Sequence, residues 1–196
     1  MATDITWGLV LAGGKSRRMG HDKALLRRDD KSQLSHAVEV LESLLPSVFV
    51  STRSDQRDEP ERARFAQIVD RYQNMGPVAG ILSAMDEFPD VNWLVVACDL
   101  PNIKVDTVEY LLQRVDKTRP FTAYISSGDK LPEPLCAVYR AGSDVLIRGF
   151  VEDGINCPRK MLIRSDTCLL TQPDPASLDN ENTPDDLDGS VLEVAS

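Results

Sequence analysis

The stretch ITWGLVLAGGKSRRMGHDK, residues 5–23, joins an apolar run to a loop rich in glycine and basic residues. The run Ile5 to Leu11 predicts a buried strand, because a strand covered on both faces is continuously apolar. Glycines in the loop let the backbone pass close to a ligand, and its amide N–H groups can surround phosphate oxygens. Lys15, Arg17 and Arg18 supply more positive charge than a diphosphate bridge needs, so the stretch predicts a triphosphate site after a strand.

Two other phosphate-binding loops do not fit this stretch. A Walker loop needs a glycine five residues before its Gly-Lys-Ser, but that position is Leu9 and Gly8 is off by one. The dinucleotide pattern GxGxxG is also absent. The remaining alternative is a plain turn between a strand and a loop with basic residues on its surface.

The rest of the chain alternates between strand and helix patterns. Strands are predicted at 48–51, 93–98, 121–125, 134–139, 161–163 and 169–170, and helices at 34–45, from Pro77, at 105–115 and at 144–151. Residues 52–64 read as a charged connection. This alternation predicts a three-layer α/β/α sandwich with a mainly parallel central sheet. We expect one domain over residues 1–188 and a mobile acidic tail over 189–196.

Composition and charge exclude several classes of protein. The chain has 196 residues, 42% hydrophobic and 27% charged, as in ordinary globular domains. No apolar run approaches the ~18 residues of a membrane helix, and Asp4 precedes the apolar start, unlike a secretory signal. We therefore expect a cytoplasmic protein without a membrane partner. The net charge of −9 argues against a general nucleic-acid binder. The basic cluster at 15–31 suits a small polyanion, the alternative being a solvated face.

Cysteine and histidine placement does not predict a zinc site. The chain has no CxxC, and His21 and His36 lie far along the chain from any cysteine. We expect both histidines to be structural or exposed. The cysteines are expected to be reduced and to act as small buried side chains; they are Cys98, Cys136, Cys157 and Cys168.

A second motif, VVACDLP at 95–101, places Asp99 at the end of a predicted central strand. Open α/β sheets bind ligands at the carboxyl ends of their strands. One carboxylate together with phosphate oxygens and waters is the usual setting for Mg²⁺. The alternative is that Asp99 caps the next helix.

Four motifs together resemble a known family. The loop at 11–23 resembles the signature loop of nucleotidyltransferases that move an NMP group from an NTP. With GPVAGI at 76–81, ACDLP at 97–101 and NENTPDDL at 180–187, the chain is similar to the molybdenum cofactor guanylyltransferases over about residues 5–187. The resemblance implies a Rossmann-like sandwich of the nucleotide-diphospho-sugar transferase type. It also implies transfer of GMP from GTP to the terminal phosphate of molybdopterin, with release of pyrophosphate, and contact with other molybdenum-cofactor proteins.

The resemblance also assigns residues to roles. The GTP site is expected to consist of Leu11, Ala12, Gly13, Gly14, Lys23, Ser51, Asp70, Gly76 and Asp99. Ser51 falls where the family often has asparagine. Arg18, Lys23 and Asp99 are expected to be catalytic, with Asp99 as the Mg²⁺ ligand. Asn180 and Asn182 are expected on the acceptor side, although Thr183 and Pro184 also read as a helix start.

Base choice rests on Asp70. A carboxylate can accept hydrogen bonds from both the N1–H and the N2–H₂ of guanine. Cytosine has an acceptor next to its exocyclic amine, which would leave one carboxylate oxygen unpaired. We therefore expect the site to bind GTP in preference to CTP. The alternative is that Asp70 caps the turn before Pro77.

Two positions depart from the family pattern on the acceptor side. Glu133 stands where histidine or glutamine is common, and the stretch 155–160 also differs. Three alternative functions stay open: a CTP-using cytidylyltransferase, a transferase for another phosphorylated acceptor, and an inactive nucleotide-binding regulator.

Overall fold

The computed structural model describes residues 4–14, 22–28, 30–179 and 193–194 of the chain. Its strands are β1 (Thr6–Leu11), β2 (Leu26–Arg28), β3 (Lys31–Ser32), β4 (Val48–Thr52), β5 (Gln67–Val69), β6 (Asn92–Ala97), β7 (Phe121–Ile125), β8 (Pro132–Tyr139), β9 (Thr167–Thr171) and β10 (Glu193–Val194). Its α-helices are α1 (Gln33–Glu42), α2 (Pro77–Glu87), α3 (Val105–Leu112), α4 (Asp144–Glu152) and α5 (Pro158–Ile163). Short 3-10 turns lie at Lys23–Leu25, Ser54–Gln56, Arg62–Arg64 and Pro175–Leu178.

The central sheet has seven strands in the order β5-β4-β1-β6-β8-β7-β9. The pairs β1–β4, β1–β6, β4–β5 and β7–β9 are parallel, and β8 runs antiparallel to both β6 and β7. The predicted mainly parallel sheet is confirmed. The chain leaves β1 toward β4 and β5 and then returns to the other side of β1 at β6. Such a reversal of strand order opens a crevice at the carboxyl ends of the two strands that flank it, here β1 and β6.

Helices cover both faces of this sheet, which confirms the three-layer sandwich. On one face, Leu34 and Val38 of α1 and Val108 of α3 pack in a cluster with Val10 of β1. On the other face, α2, α4 and α5 pack in a cluster that includes Leu9 of β1. Neighbouring residues of a strand point to opposite faces, so Leu9 and Val10 belong to different layers of the core.

The strand predicted at 161–163 is wrong, because these residues belong to α5. Pro158 occupies the first turn of this helix, where its fixed φ and missing N–H are tolerated. Pro158, Met161 and Leu162 are buried, which is the i, i+3, i+4 spacing of one helix face. A three-residue apolar run is too short to reveal that spacing. The strand predicted at 169–170 is confirmed within β9.

The four cysteines, all in the described part of the chain, form no disulfide, but they are not all buried. Cys136 is buried as predicted, while Cys98 and Cys168 are half-buried. The prediction is wrong for Cys157, which is exposed because it is the residue that precedes α5 at the surface. His36 has a structural role, since its Nε2 lies 2.9 Å from the carbonyl oxygen of Ile103. His21 lies outside the described residues.

A small second sheet has the order β10-β2-β3. Within the predicted acidic tail, Glu193 and Val194 pair antiparallel with Arg27 and Leu26 of β2. The structure thus places this piece of the tail beside the strand that follows the glycine-rich loop. In the described part of the chain, no helix is both long enough and apolar enough to cross a membrane.

Candidate active site

A cleft of about 800 Å³ opens at the carboxyl ends of β1, β4, β5 and β6. The structure brings many of the predicted nucleotide residues together along this cleft, namely Leu11, Ala12, Gly13, Gly14, Ser51, Asp70, Gly76 and Asp99. The backbone of Lys23 is described, whereas its side chain is not. Arg18, Asn180 and Asn182 lie outside the described residues.

Asp70 is held against the end of β4. The Ser51 hydroxyl donates to its Oδ1 at 2.7 Å, and its own backbone N–H donates to the carbonyl of Thr52 at 2.8 Å. Burial raises the pKa of the Asp70 carboxyl, against the opposing effects of the Ser51 hydroxyl and the Arg53 guanidinium. A carboxylate has about four lone-pair sites, so the Ser51 contact leaves room for further donors. Within the described residues, the side chain that bonds the Asp70 carboxyl is Ser51 of β4. The alternative in which Asp70 caps the turn before Pro77 is therefore wrong.

Gly80 lets α2 approach the sheet closely enough to complete the cleft. A Cβ atom at this position would lie 2.2 Å from Oγ of Ser51 and 2.9 Å from Cδ2 of Leu11. Real Cβ atoms do not come this close, so only glycine fits where the helix crosses the strand ends. The same approach brings the start of α2 to the cleft, where Gly76 has a φ of +55° that favours glycine.

Asp99 lies across the crevice from the glycine-rich segment. The pairing of Leu11 with Ala97 sets the two strand ends side by side, and Cys98 N donates to the Leu11 carbonyl at 3.2 Å. The helix-cap alternative for Asp99 is wrong, because the residue preceding α3 is Lys104.

The donor set around Asp99 fits a magnesium ion that is shared with a substrate. Among residues 4–14, 22–28, 30–179 and 193–194, no group of three or more His, Cys, Asp or Glu could hold a metal alone. Mg²⁺ is commonly bound by one or two carboxylates and completes its shell with phosphate oxygens and waters. The Asp99 carboxylate on a cleft of about 800 Å³, which leaves space for phosphate oxygens and waters, matches that requirement.

Two arginines that the sequence analysis did not identify hold the backbone beside the cleft. Arg53 Nη1 donates to the carbonyls of Gly13 at 2.9 Å and Gly14 at 3.1 Å. Arg62 is fully buried, and its Nη2 donates to the Ala12 carbonyl at 2.7 Å. Both lie in the segment 52–64 that reads as a charged connection. No pattern of apolar residues around Arg53 or Arg62 indicates a structural role. The only signal in the sequence is the presence of arginine in a charged segment.

A second cleft of about 870 Å³ lies on the other side of Asp99. Four residues line both clefts, namely Pro77, Ala97, Asp99 and Leu135, so the predicted metal ligand lies where the two spaces meet. In the second cleft, Arg159 Nη2 donates to Glu133 Oε2 at 2.9 Å, and its Nη1 donates to Asp129 Oδ2 at 2.9 Å. Arg159 belongs to the departing stretch 155–160, so the structure joins one residue of that stretch to the other departure, Glu133, in an ion pair.

Comparison with known proteins fixes the family. The model of the MobA-like NTP transferase domain matches residues 8–164. The chain belongs to the MobA-like NTP transferase family. The family inferred from the four sequence motifs is confirmed.

Relatives of this MobA-like chain agree with that assignment. A "molybdenum cofactor biosynthesis bifunctional protein" of Synechocystis is 36% identical over 181 residues, which are 92% of this chain and 52% of that protein. A "probable molybdenum cofactor guanylyltransferase" of Bacillus mycoides is 32% identical over 136 residues, 67% of this chain and 66% of that protein. The chain thus spans about half to two thirds of the length of these relatives.

Among solved structures, molybdopterin-guanine dinucleotide biosynthesis protein A of Archaeoglobus fulgidus superposes with a TM-score of 0.77 at 24% identity. The superposition covers 93% of this chain and 95% of that chain. At this identity the likeness shows the fold alone, and it confirms the fold predicted for the MobA-like domain.

Proposed function

We propose that this MobA-like protein transfers GMP from GTP to the terminal phosphate of molybdenum-molybdopterin and releases pyrophosphate. The observation that carries the proposal is the meeting of two clefts at Asp99. The first cleft is lined by residues 11–14 and by Asp70, and the second, of about 870 Å³, is large enough for another substrate. A transferase needs such an arrangement, because its two substrates must meet at one reacting phosphorus atom.

The GTP triphosphate is placed along the segment 12–14 and the turn that carries Lys23. Arg18 and Lys23 are proposed to neutralise charge on the phosphates, and loop amides to bind their oxygens. The base is directed toward Asp70, whose carboxylate keeps acceptor sites beyond its bond to Ser51. Guanine offers two adjacent donors to this carboxylate, which favours GTP over CTP.

The reaction needs alignment more than covalent help. An oxygen of the acceptor phosphate attacks the α-phosphorus, a P–O bond forms, and the bond to the bridging oxygen breaks so that pyrophosphate leaves. A phosphate monoester is largely ionised near neutral pH, since its second pKa is about 6, and so no strong general base is required. Asp99 would hold Mg²⁺ with the triphosphate, and the bound ion supplies charge stabilisation for the leaving pyrophosphate.

The acceptor is placed in the second cleft, with Asn180 and Asn182 as further proposed contacts. We propose that the reaction occurs in the cytoplasm and serves other proteins of molybdenum cofactor synthesis. A second candidate is transfer to a different phosphorylated acceptor. It is favoured by the Glu133–Arg159 pair, which sets a carboxylate where the family often has a neutral or basic side chain.

The test is pyrophosphate release by the purified protein with Mg²⁺ and molybdopterin, supplied with GTP or CTP. We expect release only when GTP and molybdopterin are both present. Release with CTP would indicate the cytidylyltransferase, and GTP binding without turnover would indicate a nucleotide-binding regulator.

Lys23→Ala should weaken GTP binding in isothermal titration while the protein stays folded, and unchanged affinity would remove Lys23 from the site.

A further inference from the structure

Arg62 is a fully buried arginine whose guanidinium group binds two residues that line the nucleotide cleft, Ala12 and Asp22. Its Nη2 donates to the Ala12 carbonyl at 2.7 Å and to Asp22 Oδ1 and Oδ2 at 3.0 and 2.8 Å. Burying a guanidinium group is unfavourable unless its charge is paired and its donors are bonded. The buried guanidinium group therefore requires the Ala12 carbonyl and the Asp22 carboxylate to stay within hydrogen-bond distance of it.

The guanidinium group is itself fixed by its neighbours. Glu59 Oε2 accepts from Arg62 Nη1 at 3.2 Å and from the Arg62 backbone N–H at 3.0 Å. The Arg62 carbonyl accepts from Nε2 of Gln67, a residue of β5, at 3.0 Å. The position of the arginine is thus tied to the central sheet.

The two acceptors of Arg62 stand at the two ends of the glycine-rich stretch. Ala12 directly follows β1, and Asp22 directly precedes Lys23. Asp22 also starts the turn that carries Lys23, because its Oδ1 accepts from Ala24 N at 3.2 Å and its carbonyl accepts from Leu25 N at 3.0 Å. One side chain therefore links the strand end to the backbone of Lys23.

The same contacts orient backbone amides. In a trans peptide the carbonyl and the following N–H point in opposite directions. Because Arg62 binds the Ala12 carbonyl and Arg53 binds the Gly13 carbonyl, the N–H groups of Gly13 and Gly14 point away from these two guanidinium groups. Both glycines line the cleft.

We propose that Arg62, through its ion pair with Asp22, is a positioning residue that sets the spacing between the Ala12–Gly14 backbone and Lys23. This spacing fixes the shape of the triphosphate site, while Arg62 itself touches no substrate. The inference rests on the proposed function, because it assumes that a triphosphate binds between these two segments.

The experiment uses Asp22→Asn, which keeps the shape and removes the charge, and Arg62→Lys, which keeps the charge and removes the planar fork. Affinities for GTP with Mg²⁺ and for guanosine are measured by competition against a fluorescent GTP analogue. We expect GTP affinity to fall roughly 10–100-fold in each variant, by analogy with losing the partner that orients a ligand-binding side chain. Guanosine affinity is expected to stay unchanged, because guanosine has no phosphates.

The double variant should lose little more than either single variant, since both changes break the same pair. Arg64→Gln is the matched control, because Arg64 lies on the same turn but forms an exposed pair with Glu61. It should change neither affinity.

Unchanged GTP affinity in Asp22→Asn overturns the positioning role. An equal loss of GTP and guanosine also overturns it, because that pattern indicates general damage to the fold. If Arg62→Lys fails to fold, Asp22→Asn decides alone. A wild-type protein that binds no GTP overturns the proposed function as well, whereas wild-type binding with unaffected variants overturns only this inference.

Discussion

The two sides of the nucleotide cleft are built by different forces. The packed floor, formed by Leu11, Ser51 and Gly80, depends on close contact between α2 and the strand ends. The arginine side, formed by Arg53 and Arg62, depends on charged hydrogen bonds to backbone carbonyls. Substitutions that change side-chain volume should therefore disturb the packed floor, and substitutions that remove charge should disturb the arginine side.

The largest expected effect concerns Asp99, where the two clefts meet. Asp99→Asn keeps the size of the side chain and removes its charge. We expect turnover to fall by about 10²-fold or more, as when other electrostatic contacts to a transition state are removed. Pyrophosphate release measures this loss. Asp106→Asn, an exposed carboxylate in the first turn of α3, is the control and should turn over like wild type.

If Asp99→Asn turned over as fast as wild type, the metal assignment would be wrong. The meeting point of the two clefts would then have no catalytic meaning.

The next effect tests the packed floor by volume. Gly80→Ala adds a Cβ within 2.2 Å of Ser51 Oγ, so we expect overpacking to lower the free energy of unfolding by roughly 1–3 kcal/mol and to weaken GTP binding. Gly149→Ala is a matched control in α4, because a Cβ there meets no atom within 4 Å. It should be neutral or stabilise by up to about 1 kcal/mol through helix propensity. Urea unfolding that gives both variants the same stability would contradict the close packing.

The smallest effect concerns Asp70, which bonds to Ser51 of the packed floor and interacts electrostatically with Arg53 of the arginine side. Burial raises its pKa in the folded protein, so the folded state holds this proton more tightly than the unfolded state. Its contribution to stability is then present at low pH and is lost as the pH rises from the ordinary value of 3.8 through the raised one. Asp70→Asn does not titrate there, and its amide oxygen can still accept from Ser51.

We therefore expect Asp70→Asn to be at least as stable as wild type at pH 7, with the difference vanishing near pH 3.8. Urea unfolding at both pH values provides the measurement, and Asp58→Asn, at an exposed position, serves as the control. A variant that is clearly less stable than wild type at pH 7 would show that the Ser51 contact outweighs burial.

The packed floor was largely predictable from the sequence, because its requirements are local. An apolar run, a glycine pair and Pro77 at a helix start report conformations of neighbouring residues. They predicted β1 and α2, whereas the close approach of Gly80 to Ser51 was not predicted.

The arginine side was not predictable, because its contacts join residues that are distant in the sequence. Arg62 and Asp22 lie far apart in the chain and come together only when β5 pairs beside β4. No periodicity marks such a pair. The Glu133–Arg159 pair is similar: Glu133 and the stretch 155–160 depart from the family pattern separately, but only the fold shows that Glu133 and Arg159 are partners.

The most direct test of the account is competition between GTP and CTP for the wild-type protein in the presence of Mg²⁺, repeated with Asp70→Asn. We predict that wild type binds GTP in preference to CTP and that the variant loses most of this preference, because the buried carboxylate accepts the guanine donors. A wild-type protein that binds CTP as tightly as GTP would contradict the guanylyltransferase assignment. An unchanged GTP preference in the variant would remove Asp70 from base recognition.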